Sequence, residues 1–136
     1  MKHTESTENY LKTILILSER NGYVRSIDIV RELSFSKPSV SAAMKSFREK
    51  DYINVDDDGK ITLTPSGLKI AEEVYERYLI LSAALIALGV DEETAFEDSC
   101  RLEHSLSEKS FDKIKRHFEN QKTPSSHSRD IDVVLL

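Results

Sequence analysis

The chain has 136 residues, 39% hydrophobic and 32% charged, with a formal charge of −5, which suits one core or two small, closely packed modules and excludes a large multidomain enzyme. No apolar run approaches the roughly 20 residues of a membrane span, and residues 1–8 lack the apolar stretch and cleavage site of a secretory leader, so a cytoplasmic protein is expected. One cysteine allows no internal disulfide, which leaves Cys100 as a core residue, a reactive thiol or a metal ligand.

A first helix is expected over 5–18, with Tyr10, Leu11, Ile14, Leu15 and Leu17 on its buried side and Asn21-Gly22 as its stop. Ser26 reads as the N-cap of a second helix over 27–33, where Ile29, Val30 and Leu33 recur at helical spacing. Ser36 then caps a third helix with Pro38 in its first turn, where a missing N–H is harmless. Its apolar stripe is Val40, Met44 and Phe47. Two alternating runs, 52–55 and 60–64, flank Asp56-Asp57-Asp58-Gly59 and predict a β-hairpin.

Three helices and a hairpin are the order of a winged helix-turn-helix. After it, a long helix over 66–88 ends at Gly89, and its apolar residues cover more than one face, which predicts a dimer contact. Further helices are expected over 91–106 and, capped by Ser107, through Phe118. The fold class is therefore mostly α: an N-terminal winged helix-turn-helix over 1–64, an all-α dimerisation domain over 65–120, and a polar tail over 121–136. The apolar end, Val133 to Leu136, has no assigned place.

The net negative charge argues against nucleic acid, but its distribution points the other way. Between Arg25 and Lys50 six basic residues face three acidic ones, whereas between Asp91 and Glu108 seven acids accompany only Arg101. The third helix can enter the major groove of duplex DNA. Ser36, Ser39 and Ser41 offer hydrogen bonds, Pro38 and Ala42 offer apolar contact to thymine, and Arg25, Lys37 and Lys45 offer phosphate neutralisation. The competing reading is an interaction scaffold with an ordinary solvated basic face. Three aspartates at the hairpin tip would repel phosphate, so only Lys60 of the wing is expected near DNA.

Cys100, Glu103 and His104 stand at i, i+3 and i+4, which on a helix projects a thiolate, a carboxylate and an imidazole from one face. Such a set suits Fe²⁺, Co²⁺, Ni²⁺ or Zn²⁺ better than Mg²⁺ or Ca²⁺. The structural alternatives are a core cysteine, a satisfied histidine and a Glu103 paired with Arg101. A redox sensor built on Cys100 and a non-DNA dimeric adaptor also stay open. A catalytic role does not: no Gly-rich phosphate loop or nucleophile elbow is present.

Tyr10-Leu11-Lys12-Thr13-Ile14, the helix start from Ser36 to Val40, Leu63-Thr64-Pro65-Ser66-Gly67, Gly89-Val90-Asp91 and Cys100-Arg101-Leu102-Glu103-His104 resemble, in order and spacing, the diphtheria toxin repressor and manganese transport regulator family. The resemblance runs from about Thr4 to Phe118 and implies a homodimeric, metal-responsive repressor that binds operator DNA. It carries a metal site onto Asn9, Cys100, Glu103 and His104, with Fe²⁺ as the first expectation and Mn²⁺, Zn²⁺, Co²⁺ and Ni²⁺ as alternatives. Departures are instructive. Lys12 stands where the manganese branch has a glutamate, and Tyr78, Ser82 and Phe96 replace the ligands of an ancillary site, which leaves a single ion as the expectation. Too few residues follow Phe118 for the SH3-like domain of longer members.

Overall fold

The computed structural model describes residues 3–120, and the expected tail with its apolar end lies outside them. Thr4 starts α1 (Glu5–Asn21) by accepting a hydrogen bond from the Thr7 N–H, and Gly22 stops it in the left-handed conformation at φ 84°, with its N–H donating to the Ser18 carbonyl. That is one turn beyond the expected end. In α2 (Ser26–Leu33) the cap differs from the expected Ser26. Arg25 occupies the N-cap, and the Asp28 carboxylate accepts from the Arg25 N–H at 2.9 Å. An acid three residues into a helix can satisfy an orphan donor from inside, so a serine was not needed.

Ser36 caps α3 (Lys37–Glu49) by accepting from the Ser39 N–H, as expected, with Pro38 in the first turn. Val40, Met44 and Phe47 are buried along one stripe, against Tyr10, whose ring meets that of Phe47 edge-on at 5.6 Å. The hairpin of β1 (Ile53–Val55) and β2 (Ile61–Leu63) is antiparallel, with Ile53 opposite Leu63 and Val55 opposite Ile61. Val24 extends it through a bridge in which the Ile61 N–H donates to the Val24 carbonyl at 2.7 Å. At its tip the Asp56 carboxylate accepts from the Asp58 and Lys60 N–H groups, both at 2.9 Å.

Thr64 begins α4 (Pro65–Ala87): its hydroxyl donates to the Asp51 carbonyl at 2.6 Å and accepts from the Gly67 N–H. Asp91 caps α5 (Glu92–Leu102), and the Ser107 hydroxyl accepts from the Ser110 N–H at the start of α6 (Glu108–Asn120). The expected helix over 91–106 stops at Leu102. Glu103 is its C-cap, and the next residues form a turn.

The described residues divide into two compact units, His3–Glu73 and those from Val74 through α6. The first is the winged helix-turn-helix, with Leu11, Ile14, Val24, Ile29 and Val40 all at 0% exposure. In the second, the Tyr78 and Phe96 rings of α4 and α5 lie 6.3 Å apart, and Lys115 of α6 pairs with Glu76 of α4 at 2.7 Å. Among the described residues no helix is long and apolar enough to cross a membrane.

Candidate DNA-reading surface and metal centre

The exposed face of α3 is built by what its buried stripe leaves over. With Val40, Met44 and Phe47 turned inward, Lys37, Pro38, Ser39, Ser41, Ala42 and Lys45 are exposed, as is the cap Ser36. The Ser36 hydroxyl also donates to that of Ser39 at 2.8 Å, so both are tied to the helix start. Small and cationic side chains thus crowd the N-terminal half of a solvent-facing helix, the part that reaches base edges when a helix lies in a major groove.

Arg25 lies outside α3 and is bound to the turn of the wing. Its Nε donates to the Asp58 carbonyl at 3.1 Å, and its guanidinium lies 4.9 Å from the Tyr23 ring centroid. Lys60 Nζ is 5.2 Å from the same ring. Tyr23, 46% exposed, is a residue that sequence reasoning missed. The flanking cations Arg25 and Lys60 were its only signal, because cation–π contact requires the fold to bring strand and loop together.

In the second unit, Glu103 is fully buried and its Oε1 lies 3.1 Å from Nε2 of His104, whose side chain is only 5% exposed. Cys100, one turn earlier on α5, is exposed. Beside them, burial first, then the charges of Cys100, Glu103 and Tyr75, push the Tyr78 phenol up to about 12, so it stays neutral at ordinary pH. Asn9 lies in the other unit, half-buried on α1, and its backbone carbonyl accepts from the Thr13 hydroxyl at 2.8 Å. Its neighbours Glu8 and Lys12 are buried.

Among the described residues no three His, Cys, Asp or Glu side chains form a ready-made metal group. Glu103 and His104 are brought together and Cys100 flanks them. The reason is the early end of α5, which puts Glu103 at the cap and His104 in the turn. By chemistry these residues fit one borderline divalent ion: a thiol, an imidazole and a carboxylate whose complete burial favours a cationic partner.

Residues 2–61 match the family described as iron dependent repressor, N-terminal DNA binding domain, and residues 64–131 match its metal binding and dimerisation domain. The chain belongs to the iron dependent repressor family. That family consists of metal-dependent, DNA-binding transcriptional repressors, and this member is a regulator rather than an enzyme. It is similar to the HTH-type transcriptional regulator MntR of Bacillus pumilus, 34% identical over 82% of this chain and 77% of that protein. An uncharacterised HTH-type transcriptional regulator of Methanocaldococcus jannaschii is 30% identical over 88% of this chain and 97% of its own.

Among solved structures, the manganese regulator SloR superposes with a TM-score of 0.72 at 26% identity, covering 83% of this chain and 53% of that one. IdeR of T. acidophilum gives 0.73 at 26% identity, covering 88% and 55%. This family member thus spans about half the length of those two chains. Their likeness supports the expected winged helix-turn-helix followed by helices.

Proposed function

We propose that this chain works in the cytoplasm as a homodimeric repressor of metal-homeostasis genes, with domain 1–64 reading operator DNA, domain 65–120 dimerising and holding one divalent ion, and 121–136 acting as a tail. The observation that carries the metal half is the buried Glu103 carboxylate beside the His104 imidazole, with the Cys100 thiol one turn away. Glu103 and His104 hold the ion as oxygen and nitrogen donors and Cys100 adds a thiolate, while Asn9 is the fourth ligand on the family resemblance. Fe²⁺ is the proposed ion, because a mixed sulfur, nitrogen and oxygen set suits borderline metals.

The bound ion supplies positive charge that compensates the buried carboxylate. Ser36, Ser39 and Ser41 hydrogen-bond DNA, Lys37, Lys45 and Arg25 neutralise phosphate, and Pro38 with Ala42 makes apolar contact with thymine methyls. Two α3 helices in a dimer match half-sites one helical turn, or a multiple, apart. The half-buried apolar residues of α4, with Leu88 at 78% exposure, are the proposed dimer face.

The test uses the full chain and DNA selected from genomic fragments by the Fe²⁺-loaded protein. Replacing Glu103 and His104 by alanine abolishes Fe²⁺-dependent DNA binding while sedimentation still reports a dimer. Unchanged metal dependence in that variant removes the site.

A further inference from the structure

We propose that Arg77 is a positioning residue for the metal centre, holding the turn that carries Glu103 and His104. This rests on the metal reading above. Arg77 lies on α4, yet its side chain is spent elsewhere. One guanidinium nitrogen donates to the Leu106 carbonyl at 2.6 Å and makes a longer contact, 3.5 Å, with the Glu103 carbonyl. The guanidinium also lies 5.0 Å from the Phe111 ring centroid of α6, and the residue is only 4% exposed.

Those carbonyls belong to the end of α5 and the turn after it, where backbone acceptors run out of helical partners and a cation is favoured. A flexible turn would let the Glu103 carboxylate and the His104 imidazole wander. Arg77 instead ties both ends of the 103–106 segment to α4. Burying an arginine costs free energy that neutral backbone acceptors repay only in part. A shorter polar side chain would serve for helix packing alone. The guanidinium has the reach to bring one nitrogen, which carries two N–H groups, to an acceptor on each side of His104. Ligand residues whose supporting contacts are removed typically lose roughly 10–100-fold in metal affinity.

The experiment titrates the metal-free full chain with Co²⁺, whose visible spectrum and thiolate charge-transfer band report coordination directly, and compares Arg77→Met, Arg77→Lys and Glu103→Ala. Arg77→Met weakens Co²⁺ binding by roughly 10–100-fold and alters the band shape. Amide exchange in the metal-free protein speeds up at residues 103–106 and not in α4. Arg77→Lys, which keeps the charge but not the reach or the planar guanidinium, falls between wild type and Arg77→Met, and it carries the test alone if Arg77→Met does not fold. Wild-type affinity and spectrum in these variants overturn the proposal. If the unmodified chain fails to bind Co²⁺, or Glu103→Ala binds it unchanged, the metal reading fails and takes this inference with it. Exchange at 103–106 then still tells whether Arg77 orders the turn.

Discussion

Gly67 shows how one absent side chain can lock a junction. The Tyr52 carbonyl lies where a Gly67 Cβ would stand, and it also accepts a hydrogen bond from the Thr64 N–H at 3.0 Å. The Thr64 hydroxyl adds two more bonds at the same place, to Asp51 and Gly67. A methyl group there has no free space and no mobile neighbour to displace, only backbone. Gly67→Ala is therefore expected to destabilise the protein by about 3 kcal/mol, at the upper end of overpacking costs, read as a drop in the thermal midpoint of the metal-free chain. An unchanged midpoint would mean that the start of α4 can move away from the hairpin freely.

Elements whose buried stripe is long were the legible ones. Val40, Met44 and Phe47 in α3 recur at helical period because that helix buries one side, and Tyr10, Leu11 and Ile14 were legible in α1 although it is buried on more than one face, Lys12 and Thr13 included. Element ends were less legible. The start of α2 depends on Asp28 reaching back to Arg25, and the end of α5 coincides with carbonyl contacts from Arg77, 26 residues before Glu103. No local pattern records a partner that distant. For the same reason Cys100, Glu103 and His104 were visible as a spacing, while the burial of Glu103 and the exposure of Cys100 were not.

Local capping does yield a prediction for α5. The Thr94 backbone N–H, then its side chain, bonds the Asp91 carboxylate and holds it below the usual carboxylate range. A lowered folded-state value means the cap's contribution is present above the unfolded-state value and is lost as pH falls through the folded one. The helicity of α5 should hold through mild acid and decline only as pH falls below the usual carboxylate range in wild type, whereas Asp91→Asn, with no charge to lose, removes that component from a circular dichroism titration. Identical acid profiles in the two proteins would place the cap elsewhere.

At the scale of the whole molecule, a chain of net charge −5 must present DNA with a locally positive face. In the proposed reading exposed Lys37 and Lys45 on α3 supply that face, while Asp57 and Asp58 at the exposed wing tip oppose it. Because bound phosphates release counterions, each lysine–phosphate contact adds about 0.9 to the slope of log affinity against log salt. A dimer doubles every contact, so Lys45→Ala is expected to lower the magnitude of that slope by roughly 2. Asp57→Asn with Asp58→Asn is expected to strengthen binding most at low salt, since it removes repulsion without making a contact. Both measurements use the metal-loaded dimer on one DNA fragment across a salt series. A Lys45→Ala slope equal to wild type would mean that this end of α3 does not meet the backbone, and the groove-reading helix would have to enter DNA by its first turn alone.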